Sequence, residues 1–316
     1  MKNNILYTHD DLDGVGCAIL AKLAFEDDVD IVYCKDKDEC TKSLLSLIPN
    51  HLFKACERIF VTDLSFDKEK FSENKKIFSK LKIFDHHETA IVDFEKEKYA
   101  YVKKDIDGVQ TCGTELFYIY LKRKGFIEDR NFFVEQIRLY DTWEWNKFPS
   151  KLPYYLNLLR YTIGITGFVN TFTERLMKND VNELNIFNQY ERDIIELKLK
   201  ENEREIKNYL SDVRRVKTKY GTFGFVFVGN NCDVSNLGHA ICDLEDIDIA
   251  VMAKPNSGKM SFRTNRNDIH IGLMLKELFG DSAGGHSSSA GCKVKDMTVQ
   301  RVICQMMQPF GNIEID

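Results

Sequence analysis

Proline is scarce, five in 316 residues, and no stretch is low in complexity, which excludes a Pro-rich linker or a long disordered tail. No run approaches the roughly 18 consecutive apolar residues of a membrane span, and the opening MKNNILYTHDD lacks the apolar core of a signal peptide. An excess of positive charge is missing too. Forty-four Lys and Arg against forty-nine Asp and Glu leave a net charge of −5, so any hold on nucleic acid must come from a local patch. The nine cysteines are odd in number and form no CxxC pair, which argues against a disulfide scaffold. They read as reduced, buried thiols and point to a cytoplasmic protein. What is present, 43% apolar and 29% charged residues, is enough to build the cores of about two domains.

The first 150 residues alternate short apolar runs with amphipathic stretches. Asn4–Tyr7, Val29–Tyr33, Arg58–Val61 and Leu81–Phe84 read as strands; Gly14–Phe25, Thr41–Leu47 and Asp67–Ser79 read as the helices between them. This alternation predicts an α/β fold with a parallel sheet covered on both faces. Helical patterns follow at Thr111–Arg123 and Asn131–Tyr140. A highly charged helical stretch, Val181–Val213, lies within a connector at 151–215. A smaller α/β domain then runs over 216–316. Its expected strands are Thr222–Val228, Ile247–Met252 and Lys259–Thr264, and its expected helices Leu237–Leu244 and Ile271–Phe279. Pro255–Gly258 reads as a hairpin turn, and the small-residue stretch Gly280–Gly291 as a loop.

In a parallel sheet, ligands sit beyond the carboxyl ends of the strands. His9, Asp11 and Asp13 follow the first strand, Asp63 the third and Asp85-His86-His87 the fourth, while Asp141 ends a later helical run. Taken singly, several have ordinary explanations: Asp13 as a helix cap, Asp63 as a strand-end residue, Asp141 as a helix terminus. Two adjacent histidines after an Asp and a buried strand are harder to explain by packing. Together Asp11, Asp13, Asp63 and Asp141 bring four negative charges to one crevice, with His9 and His86 as nitrogen ligands. Two divalent cations would balance the four carboxylates, and such a pair suits in-line displacement at phosphorus. Mixed imidazole and carboxylate ligation favours Mn²⁺ or a similar ion such as Co²⁺, with Mg²⁺ less well matched.

His9-x-Asp11-x-Asp13-Gly14, Asp63, Asp85-His86-His87 and Asp141 resemble the four motifs of the DHH phosphoesterases. Gly284-Gly285-His286 with Ala290-Gly291, and Ser261–Thr264 upstream, resemble the DHH-associated domain of the same superfamily. The resemblance runs over essentially the whole chain in order. Within the superfamily, Thr8–Phe25 and Tyr140–Trp145 look closest to the B-type nanoRNases, which degrade very short RNA.

The resemblance implies an N-terminal catalytic domain over 1–150 and a substrate-binding domain over 216–316. It implies that His9, Asp11 and Asp63 hold one metal ion, and that Asp13, Asp63, His86 and Asp141 hold a second. His87 would face the substrate phosphate, with Asp85 behind the histidines orienting one of them. Arg263, Gly284, Gly285, His286 and Ser287 would bind substrate. The implied activity is that of an oligoribonuclease of the 3′–5′ exonuclease type. Its substrate would be short RNA or a dinucleotide, with no membrane association, in a monomer or homodimer. Rival substrates are linear or cyclic dinucleotides and 3′-phosphoadenosine 5′-phosphate; a remote alternative is a non-catalytic nucleotide-binding scaffold.

Two departures stand out. Ala283 occupies a place where the family usually has a third glycine, and His9 and Asp11 are two apart where many relatives space them by four. Phe262, Trp143 and Trp145 are candidates for base stacking, although aromatic residues in such places are more often core.

Overall fold

All five residues of the first strand, Asn4–Thr8 (β1), are buried, because β1 lies inside a sheet covered on both faces. The computed structural model describes residues 2–178, 181–218, 220–230, 232–285, 287–294 and 314–315. It divides into two units, Met1–Glu196 and Leu197–Asp316.

In the first unit β1 leads into α1 (Leu12–Phe25), β2 (Val29–Tyr33), α2 (Lys37–Leu47), α3 (His51–Ala55) and β3 (Arg58–Thr62). Then come β4 (Leu81–Asp85), α4 (Glu88–Phe94) and β5 (Ala100–Val102). The five strands are all parallel, in the order β2-β1-β3-β4-β5. Because the chain steps from β1 outward in both directions, a crevice opens between the carboxyl ends of β1 and β3. Register makes those ends level: Thr8 pairs with Thr62, and Thr62 with Phe84. Hydroxyl bonds pin it, Thr62 Oγ1 donating to Thr8 Oγ1 at 2.8 Å and Thr8 Oγ1 to Gly14 O at 3.0 Å.

After a small hairpin, β6 (Asp105–Ile106) and β7 (Val109–Gln110), the chain forms α5 (Gly113–Arg123), α6 (Asn131–Asp141), α7 (Leu152–Lys178) and α8 (Gln189–Ser211). Every residue of α1 from Leu12 to Ala21 is buried, since α5, α6 and α7 all pack on it. Phe117 of α5 reaches the sheet and meets Phe60 and Phe84, each at 5.2 Å between ring centroids. Each such buried ring contributes about 1.5–3 kcal/mol. Two helices, α7 and α8, thus make up most of the described residues of 151–215, before a strand begins at Arg214. The first is packed on α1 and broken at Gly164, where φ is 73°; the second spans the division between the units.

Two segments differ from the pattern in the sequence. Residues 67–79 form short 3-10 turns, Lys68–Phe71 and Lys75–Ser79, rather than a helix. Their fully buried apolar residues, Phe71 and Ile77, are six apart, too far to make a helical stripe. The charged helix begins only at Gln189, because Asn182 and Asn185 side chains capture backbone N–H groups before it and Asn188 caps its first turn. Asn188 and Glu191 close the N-terminus reciprocally, at 2.9 and 2.8 Å.

The second unit contains β8 (Arg214–Thr218), β9 (Gly221–Phe227), α9 (Val234–Cys242), β10 (Ile249–Lys254), β11 (Lys259–Thr264), α10 (Ile271–Phe279), β12 (Ala283–Gly285), β13 (Ser289–Lys293) and β14 (Glu314–Ile315). Its sheet order is β12-β13-β11-β10-β9-β8-β14, with β9 and β10 the parallel pair. The apolar residues of α9 and α10 pack into separate clusters, one around Met252 and Val226, the other around Val251 and Phe262. The turn at Pro255–Gly258 forms as expected, Gly258 N donating to Lys254 O at 3.0 Å.

Gly280–Gly291 is not a loop: most of it is the antiparallel β12–β13 hairpin. At Gly285, φ is 146° and a Cβ would stand 2.4 Å from Ala290 Cα, so only glycine lets the strands close there. Ala283, which departs from the family pattern, packs its methyl group against the second core. The described cysteines are free thiols, all buried except the half-buried Cys242. Among the described residues no helix is long and apolar enough to cross a membrane.

Candidate metal centre

Each carboxylate at the sheet ends is set by backbone. Asp11 is the N-cap of α1, accepting from Gly14 N at 3.0 Å, which is the place the sequence offered to Asp13. Asp13 instead lies in the first turn, fully buried, and reaches across to another helix. It accepts from Gly113 N at 2.6 Å and Thr114 N at 2.8 Å, the first turn of α5. Asp63 follows β3 in left-handed backbone, φ 52°, a conformation that costs a non-glycine residue about 1–3 kcal/mol. Asp85 is the last residue of β4. Its Oδ1 accepts from His86 N at 2.8 Å and His87 N at 3.1 Å, and lies 2.7 Å from His87 Nδ1.

These positions bring the predicted residues of the first unit together. His9 Nδ1 is 2.8 Å from Asp11 and 3.8 Å from Asp63. His86 Nε2 is 3.3 Å from Asp141, 3.5 Å from Asp63 and 3.9 Å from Asp13. Ligand atoms of His9, Asp11 and Asp63 lie within 4.8 Å of one another, as do those of Asp13, His86 and Asp141, and those of Asp63, Asp85, His86 and His87.

The electrostatics call for a cation. Burial, reinforced by Asp11, Asp13 and Asp141, pushes the Asp63 carboxyl well above the usual carboxylate range. Burial also raises Asp141 to about 7, against the pull of His86. Burial alone would lower His87, but Asp85 outweighs it and lifts the imidazole to about 9. Asp63 Oδ2, His86 Nε2 and Asp141 Oδ2 are buried without a hydrogen-bond partner among the described residues. Buried polar atoms are rarely left so, and divalent cations bound among them would satisfy all three. The donor set therefore fits divalent metal.

Sequence reasoning passed over Gly113. A Cβ there would stand 2.7 Å from Asp63 Cβ and 2.9 Å from Asp13 Oδ2, so only glycine lets α5 bring its N–H groups to Asp13. A Cys-Gly-Thr cluster opening an apolar helix was the available signal. Also missed were Arg160 and Ser235, both of which bond to segments singled out above.

In the second unit, Arg263 of β11 pairs with Ser289. Its guanidinium donates to Phe262 O at 3.0 Å and Ser235 Oγ at 3.1 Å. Gly284 and Gly285 are exposed on the edge strand β12, and Ser287 is exposed in the turn; His286 lies outside the described residues. Phe262 is core, 1% exposed, and Trp145 is buried against Tyr154, their centroids 5.1 Å apart.

A scan of protein-family models gives no match. The chain is 31% identical over 316 residues to oligoribonuclease NrnB of Bacillus subtilis (strain 168), covering 95% of this chain and 75% of that protein. The chain belongs to the DHH phosphoesterases. Their fold recurs in RecJ of Thermus thermophilus, solved with Mn²⁺, at 10% identity and a TM-score of 0.59, over 96% of this chain and 51% of that one. It recurs also in the DHH domain of a member of a ribosomal-protein family, at 15% identity and a TM-score of 0.57, over 96% of this chain and 85% of that one. The protein is a DHH-family phosphoesterase whose acidic cluster occupies the strand ends of its parallel sheet.

Proposed function

We propose that this DHH phosphoesterase hydrolyses the phosphodiester bonds of very short oligoribonucleotides from the 3′ end, releasing nucleoside 5′-monophosphates. The observation that carries the reading is the buried acid–imidazole cluster, in a chain 31% identical to an oligoribonuclease. His9, Asp11 and Asp63 would hold one divalent ion, and Asp13, Asp63, His86 and Asp141 would hold another. Mn²⁺ matches this mixed donor set best, and Co²⁺ or Mg²⁺ can substitute. When bound, such a pair supplies an activated water and neutralises charge on the phosphate.

The chain's own groups do the rest. Asp85 fixes His87 and favours its protonated form, so that it can donate to a phosphate oxygen or give a proton to the leaving group. In the second unit Arg263, Gly284, Gly285, His286 and Ser287 contact the non-reacting end of the substrate. Arginine suits a terminal phosphate because its planar fork binds two oxygens at once. Alternate N–H groups of the edge strand β12 stay outside the ladder and can serve an anion.

The test is a panel of 5′-labelled RNAs from two to about twenty-four nucleotides, with 3′-phosphoadenosine 5′-phosphate, each assayed with Mn²⁺, Co²⁺ and Mg²⁺. Fastest hydrolysis of the shortest RNAs is expected. A panel left intact with every metal would overturn the reading, and preference for 3′-phosphoadenosine 5′-phosphate would move it to a phosphatase.

A further inference from the structure

Two adjacent residues of α7, in the turn before its break at Gly164, are unused by the chemistry above. Arg160 is 6% exposed. It donates from Nη1 to Asp10 O at 3.0 Å and from Nε to Asn157 Oδ1 at 3.3 Å, and Asn157 Nδ2 in turn donates to Tyr140 OH at 2.6 Å. These bonds link the residue between His9 and Asp11 to the residue before Asp141.

Buried arginines are normally compensated by carboxylates. Arg138, buried in the same unit, is bonded to Glu135 and Glu144 at 2.7 Å each. Arg160 forms no ion pair with a carboxylate among the described residues. Only two of its five N–H groups are engaged by the bonds above. Its guanidinium carbon lies 4.0 Å from the centroid of the Tyr161 ring, and Tyr161 is 67% exposed. A fixed cation without an ion pair among the described residues, bonded to the residue between two metal-ligand candidates and backing an exposed aromatic ring, is the combination that single-stranded nucleic acids engage through phosphate and base.

We propose that Arg160 and Tyr161 form a nucleotide subsite beside the metal centre, Tyr161 stacking a base and Arg160 taking an oxygen of that nucleotide's phosphate. This rests on the oligoribonucleotide reading above and supplies it with a base-dependent contact. Stacking is indifferent to base identity, so the subsite favours a nucleotide over a bare phosphodiester without selecting sequence.

Steady-state kinetics with Mn²⁺ on the RNA dimer pApA, and on the two dimers lacking one base each, test it. Wild type is expected to show KM about tenfold higher for one of the abasic dimers. Tyr161→Ala should raise KM for pApA by about the same factor with kcat within about twofold, and should not change KM for that abasic dimer. Tyr161→Phe should restore wild-type values, which a loss of fold would not allow. Arg160→Lys should raise KM for every dimer at unchanged metal content. Equal KM for Tyr161→Ala and wild type on pApA overturns the proposal. If wild type cleaves no dimer, the substrate reading fails instead. Calorimetric binding of adenosine 5′-monophosphate then decides, and equal affinity in wild type and Tyr161→Ala overturns the subsite.

Discussion

The strand ends of the first unit and the β12–β13 hairpin of the second both carry residues with chemical potential, but they are built differently. At the strand ends the carboxylates are fixed by the backbone. Asp11 caps its own helix, Asp13 accepts the first N–H groups of α5, and Asp85 gathers the N–H groups of both histidines. In the hairpin, Gly284, Gly285 and Ser287 are exposed, and strand pairing and one bond from Ile271 N to Ser287 O hold their backbone, while on the neighbouring β11 the Arg263 guanidinium donates to Phe262 O and Ser235 Oγ. Rigid placement is what a cluster of like charges needs, since their repulsion would otherwise splay them. An open edge suits a flexible ligand with a charged end.

Asp63 is where the rigid cluster breaks most severely. Asp63→Ala removes the carboxylate shared by two ligand groups, so metal content measured by mass spectrometry should fall and hydrolysis should cease at the assay limit. Wild-type metal content and rate in that variant would sink the two-ion assignment. His87→Ala should keep its metal and lose about 10²–10⁴-fold in kcat, because it removes only a proton or hydrogen-bond donor. An unchanged kcat would remove His87 from the chemistry.

Gly113→Ala tests whether the backbone really sets the cluster. Its methyl group must displace Asp63 or Asp13, and metal affinity should fall by about 10–100-fold in a protein that still folds. Unchanged titration of Mn²⁺ would show that the acids tolerate the shift. In the second unit, Arg263→Ala is expected to raise KM about tenfold with a smaller loss of kcat, and His286→Ala to do likewise. Both variants keeping wild-type KM and kcat on a dinucleotide would take the hairpin out of substrate binding.

The smallest effect concerns salt. With a net charge of −5 and a few placed donors, dimer hydrolysis should slow only about two- to threefold between about 50 and 200 mM salt. A steep slope, with a long RNA degraded as fast as the dimer, would indicate a charged channel instead.

Local pattern alone was enough for the parallel sheet and for placing His9, Asp63 and Asp85 at its strand ends, because alternation of buried strands with amphipathic helices is written in adjacent residues. It was enough too for the two histidines, whose adjacency packing does not explain. It failed at 67–79, where a helical composition had no stripe to bury, and at 280–291, where small residues read as a loop close instead into a hairpin.

Other features belong to the tertiary structure. That Asp13 serves a helix one hundred residues away, that Gly113 must be glycine, and that Arg160 ends beneath Asp10 depend on how α5 and α7 pack on α1. Residue types and spacing decided which groups leave each strand end. Only the register of β1, β3 and β4, together with that packing, decided that groups from positions 9 to 141 share one site, because contacts across such separations are made by the folded chain and not by its neighbours in sequence.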